Sequence, residues 1–163
     1  MSERAPRIAA PCAANDWLGA HVELLCASYT RLTGRELLPA PAHGTRGRAA
    51  WQAPFALLSH GLEADPLFNY GNHTALALFE LDWPAFVLLP SRASAEALRQ
   101  EARAELMRKV LEQGFIDDYS GVRIAASGRR FVIEQATVWN VLDEAGHLHG
   151  QAATFATWRD LPD

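Results

Sequence analysis

Apolar residues recur at helical spacing in two stretches of the chain and at strand spacing near its end. Leu18, Val22, Leu25, Tyr29 and Leu32 follow one another at intervals of four and three, the repeat of one helix face. Asn15 or Asp16 stands where an N-cap belongs, and Gly34 stands where a helix stops. The pattern predicts an amphipathic helix over residues 15–36, behind a flexible start over residues 1–14. A second stripe, Ala95, Leu98, Ala102, Leu106 and Val110, runs on to Gly114, with Glu105 and Lys109 spaced for a modest ion pair on the wet face.

Between the stripes, residues 37–54 ("LLPAPAHGTRGRAAWQAP") mix proline, glycine and small residues without a period and read as a linker. A core over residues 55–160 follows. "FALLSHG" reads as a strand and "LFNY" as a short extended piece after the Asp65-Pro66 turn. Asn72 can cap a helix carrying Ala75, Leu76, Leu78 and Phe79, and Asp82 a short turn with Pro84 in its first positions. After Gly114 come three β-rich runs, "FIDDYSGVRIAAS", "RRFVIEQATVWNVLD" and "HLHGQAATFATW", separated by turn signals at Ser127-Gly128 and "DEAG". They predict an antiparallel meander. Strict alternation in the middle run puts Phe131, Ile133, Gln135, Thr137, Trp139 and Val141 on one face, and Val132, Glu134, Ala136, Val138, Asn140 and Leu142 on the other.

Composition narrows the classes. With 163 residues, 49% of them hydrophobic, and a net charge of −4, the chain fits one domain with one core. Acids outnumber bases 19 to 15, and the basic residues are scattered, so no direct nucleic-acid contact is expected. Neither a signal-type apolar region nor eighteen consecutive apolar residues occur, which predicts a cytoplasmic chain without a membrane partner. Cys12 and Cys26 have no companions for a zinc site and read as unbridged thiols. Lys109, the only lysine, sits in a charged helical run and reads as surface.

The segments "LSHGLEADPLFNYGNHTALALFELDW", "LPSRASAE", "YSGVRIAASGRRFVIEQATVWNVLDEAG" and "GQAATFATW", in that order, resemble the MEKHLA family, a PAS-related domain. The resemblance covers Leu24 to Trp158. It implies an α+β, PAS-like fold: a five-stranded antiparallel sheet with helices on one face, here with the N-terminal amphipathic helix added. In plants the domain closes class III homeodomain-leucine-zipper regulators, and bacteria encode free-standing chains. Without a basic DNA-reading helix or a sustained zipper, this sequence resembles the free-standing kind, although the six-letter string that names the family is absent.

The resemblance sets Asn69, Tyr70 and Asn72 near the mouth of a pocket. Turn and cap chemistry accounts for these residues without any ligand, and orienting a small molecule is the alternative. PAS-type flavin photochemistry needs a cysteine that the stretch from Ala77 to Ser94 lacks, and haem-type sensing a ligand that Ala95 to Gln113 lacks. His147 and His149 alternate on a strand without an evident third metal ligand. Asp117, Asp118, Glu134 and His60 match no acid/base motif, so no catalytic residue, metal or cofactor is assigned. Polar residues on apolar strands must find partners once buried: Arg123 and Arg130 either pair across the sheet with Glu134 or hold an anionic ligand. The candidate pocket is Asn69, Tyr70, Asn72, Arg123, Gln135, Trp139 and Gln151. The candidate interface is the stripe from Leu18 to Leu32, packing on the sheet or on a second copy. The sequence thus reads as a sensor or interaction module for a small molecule or a protein, with a small enzyme built on Glu134, Asp117 or His60, or a ligand-free adaptor, as alternatives.

Overall fold

The computed structural model describes residues 7–95 and 100–162. Leu98 of the second stripe and residues 1–6 of the expected flexible start lie outside them.

The first stripe forms α1 (Gly19–Thr33). Gly34 ends it in the left-handed region (φ 73°), its N–H donating to the Thr30 carbonyl at 2.8 Å, a conformation costly for any residue with a Cβ. Its start differs from expectation. Asp16, Trp17 and Leu18 are left-handed, and the Asn15 side chain accepts from the Cys12 and Leu18 amides (2.9 and 3.3 Å). Asn15 therefore organises a tight turn over Ala13–Leu18, and the helix begins only after it. The linker also differs. Thr45 caps a short helix, α2 (Arg46–Trp51), whose Ala50 is fully buried.

The remaining elements are β1 (Ala56–His60), β2 (Phe68–Gly71), α3 (His73–Phe79), α4 (Trp83–Phe86), α5 (Gln100–Gln113), β3 (Phe115–Ile124), β4 (Arg130–Leu142), β5 (Leu148–Phe155) and β6 (Thr157–Asp160). The sheet is antiparallel, in the order β2-β1-β5-β4-β3, with β6 continuing β5 along β4. The final strand expected from the sequence is thus two pieces, broken at Ala156.

Alternation in β4 fails at one residue. Gln135 has a positive φ (53°), and the pairing with β3 shifts around it, which inverts the phase of the strand. Phe131, Ile133 and Val138 therefore share a face. Phe131 meets Phe79 of α3 edge-on, and Val138 packs with Leu106 and Val110 of α5. Trp139, the next residue, points the other way: its ring meets Tyr29 at 4.9 Å and its indole donates to Ser28 Oγ at 3.3 Å. Helices accordingly cover both faces, with α3 and α5 on one and α1 on the other. Val22 and Leu25 are fully buried and Tyr29 nearly so, each large apolar side chain contributing about 1.5–3 kcal/mol. The stripe is spent inside its own chain.

Candidate functional site

On the α3 and α5 face lies a cavity of about 50 Å³. Phe68, Phe79, Ile133, Val138 and Phe155 give it apolar walls, and Arg123, Gln151, His60, Ser59 and Ser94 its polar ones. Room for a few water molecules follows from that volume.

Arg123 reaches the cavity from β3 and is nine-tenths buried. Its Nη1 donates to the Val122 carbonyl (2.9 Å) and its Nη2 to the Tyr119 hydroxyl (3.4 Å), with the guanidinium over the Tyr119 ring. The expected pair with Glu134 does not form. Glu134, on the exposed side of the Gln135 phase change, takes Arg159 at 3.4 Å. Gln151 donates from Nε2 to the Met107 carbonyl (3.0 Å) and to Asn140 Oδ1 (3.3 Å), while Asn140 Nδ2 reaches the Val110 carbonyl (3.0 Å). These two amides fasten α5 to the sheet, so Gln151 is a wall held in place.

The other pocket candidates lie elsewhere. Gln135 is exposed, because its left-handed backbone turns it out of the strand. Trp139 belongs to the α1 face. Asn72, fully buried, is a structural junction: Oδ1 accepts from the amides of Leu57 and Ala75 (3.1 and 3.0 Å), and Nδ2 donates to the carbonyls of Ala50 and Phe55 (3.0 and 2.8 Å). It caps α3 and ties that helix to α2 and β1. Asn69 Oδ1 accepts from Ser59 Oγ at 2.5 Å. With that hydroxyl proton committed, His21 Nε2, 2.9 Å from the same oxygen, is the donor to it.

Beneath α1, His21 also lies beside Tyr70, ring centroids 5.8 Å apart. Burial, aided by the charge of His149, lowers the His21 pKa to about 4. Burial raises the Cys26 thiol to about 11 and pushes the Tyr70 phenol well above its ordinary range. The Tyr70 hydroxyl has no hydrogen-bond partner among the described residues. His147 and His149 both address Asp143 (3.4 and 2.9 Å), whose pKa falls to about 2, chiefly through the hydrogen bond from His149. Of the acid/base candidates, His60 lines the cavity, whereas Asp117 is exposed and holds Arg35 at 2.7 Å.

The MEKHLA domain model matches residues 19–160. The chain belongs to the MEKHLA domain family. Its MEKHLA domain is 27% identical over 143 residues to the homeobox-leucine zipper protein ATHB-9 of Arabidopsis thaliana, covering 84% of this chain. The chain spans 16–17% of the length of such relatives. They are plant proteins, so the free-standing bacterial type stays an expectation. Among solved structures, the MEKHLA domain is similar to the PAS domain of a protein from Colwellia psychrerythraea (TM-score 0.60, 15% identity, 71% of this chain and 93% of that one). It is also similar to the PAS domain, in complex with ethanol, of a LuxR-family transcriptional regulator from Burkholderia thailandensis (TM-score 0.53, 18% identity, 71% and 96%). At these identities the likeness establishes the fold, which is PAS-like. Among the described residues of this MEKHLA domain, no helix is long and apolar enough to cross a membrane.

Sequence reasoning named Arg123 and Gln151 for the cavity and missed Ser59, Tyr119, Ser94 and Met107. Tyr119 carried a signal, since it precedes Arg123 by four residues on a run holding Gly121. Ser94, in the turn Ser91–Ser94, and Met107 of α5 border the cavity only once those segments fold against the sheet, and Ser59, whose hydroxyl lies against His21, borders it from β1.

Proposed function

We propose that the chain is a PAS-type sensory module in which a small molecule in the cavity on the α3 and α5 face is read out through α1. The observation that carries this reading is the adjacency of two β4 residues: Val138 lines the cavity, and Trp139 holds Ser28 of α1 on the opposite face. A shift of β4 on ligand entry is felt directly by the helix. The Burkholderia PAS domain described with ethanol is a precedent for a very small occupant in this fold. The partner that receives the signal is a protein, a second copy of the chain included, and the setting is the cytoplasm.

Native mass spectrometry of protein purified from its own host reports bound small molecules and oligomeric state together. Hydrogen exchange across residues 19–33, with and without the molecule found, tests the readout. Ligand binding that leaves exchange in α1 unchanged refutes it. The cavity volume of about 50 Å³, small beside the ~300–1,000 Å³ of drug-sized sites, favours a second reading, a solid interaction module. Native material free of any small molecule, joined to a protein partner, supports that alternative.

A further inference from the structure

We propose that the cavity is a site for a short-chain monocarboxylate anchored by Arg123, an inference that rests on the sensory reading and names its ligand class. Arg123 is nine-tenths buried, yet its neighbours are uncharged: a backbone carbonyl, a phenol and a ring face. Among the described residues, no carboxylate lies within ion-pair distance of it. Arginines on the surface are served differently, Arg35 by Asp117 at 2.7 Å, Arg92 by Asp65 at 2.9 Å and Arg159 by Glu134 at 3.4 Å. Among the described residues, Arg123 thus combines deep burial with hydrogen bonds but no counter-ion. A guanidinium cannot shed its proton to escape this cost, and a buried charge without a partner is unfavourable. Among the described residues nothing neutralises this charge, and an anion that enters the cavity would do so.

The local backbone is shaped around this group. A Cβ on Gly121 would stand 2.4 Å from the Tyr119 hydroxyl and 3.0 Å from Arg123 Nη1, so glycine leaves the space in which phenol and guanidinium meet. The Tyr119 oxygen accepts from Arg123 Nη2, which leaves its own proton to donate. A guanidinium and a phenol side by side match the two oxygens of a carboxylate. Phosphate is a poorer fit, because it presents more oxygens than these donors serve and the Gln151 amide is already committed to Met107 and Asn140. The apolar walls suit a hydrocarbon tail. At ~10–15 Å³ of this measure per water-sized group, a cavity of about 50 Å³ takes roughly four such groups, the scale of acetate or propionate.

The test titrates the full chain with sodium acetate, propionate and butyrate against propionamide, isopropanol and sodium phosphate at constant ionic strength. Melting temperature and saturation-transfer NMR of the probe methyl groups are the readouts. Propionate is expected to bind at least about tenfold tighter than propionamide, the scale of one charge-assisted pair. Arg123→Met should abolish the propionate response with an unliganded melting temperature unchanged or raised, and Arg123→Lys should retain a weakened response. Equal binding of propionate and propionamide, or preference for phosphate, overturns the carboxylate assignment. So does a large fall in melting temperature for Arg123→Met, which would make the side chain structural. If a neutral probe binds and alters exchange in α1 while carboxylates do not, this inference fails and the sensory reading stands. If no probe binds, the inference fails, and the sensory reading is then decided separately by the native-material experiment.

Discussion

Asn72→Ala isolates the junction that the sequence offered as either a cap or a ligand contact. The side chain is fully buried and makes four hydrogen bonds, to Leu57, Ala75, Ala50 and Phe55. Losing the α3 cap costs about 1 kcal/mol. The Leu57 amide and the Phe55 carbonyl are left buried without these partners, at about 1–3 kcal/mol each. The Ala50 carbonyl is spared, since it keeps the Ala53 amide at 3.3 Å. The expected loss is about 5 kcal/mol, against a folding free energy of about 5–15 kcal/mol for a typical domain. With a urea m-value of about 2 kcal/mol/M, the midpoint falls by about 2.5 M at unchanged slope, measured by tryptophan fluorescence and circular dichroism. Asn72→Asp sharpens the test. It keeps the acceptor for Leu57 and Ala75 but turns a carboxylate toward two carbonyls, which raises its pKa in the folded state above the unfolded value. Folding of this variant then takes up a proton, so its stability should rise as pH falls through that raised pKa. A loss below about 1 kcal/mol for Asn72→Ala, or an Asp variant indifferent to pH between 7 and 5, would refute the account of Asn72 as a structural junction.

Three further outcomes are expected. His21 titrates near 6.5 when unfolded and near 4 when folded; the unfolded chain gains its proton first, so stability declines as pH falls from about 6.5 to 4, by up to about 3 kcal/mol, and His21→Gln should flatten that part of a pH-resolved urea series. Gly71→Ala would set a Cβ 2.7 Å from the Phe86 ring, which stacks on Phe68 at 4.5 Å; overpacking of about 1–3 kcal/mol should appear as a lower melting temperature, and an unchanged value would show that the ring moves freely. Deleting residues 1–34 uncovers Trp139 and Tyr70, both fully buried, so the truncated chain should aggregate or change mass in light scattering; a soluble product with unaltered mass and melting would show that α1 is dispensable to the sheet.

Local chemistry wrote much of this molecule directly into the sequence. Gly34 stops α1 because a left-handed residue is needed there, and Asn72 and Asp82 cap their helices through side-chain oxygens that accept amides three residues on. The three β-rich runs pair as a meander because their turn residues lie between them, and such signals act within a few residues and need no knowledge of the rest of the chain. Tertiary contacts decided the remainder. One left-handed residue, Gln135, inverts the phase of β4 and moves Trp139 to the α1 face, a change that alternation cannot reveal because period 2 has no memory of an inserted step. Asn15 became the organiser of a turn because three left-handed residues follow it. Arg123 was legible as a polar residue in need of a partner. That Glu134 goes instead to Arg159, and the guanidinium to a small apolar cavity, follows from where the strands cross, and only the folded chain fixes that distance.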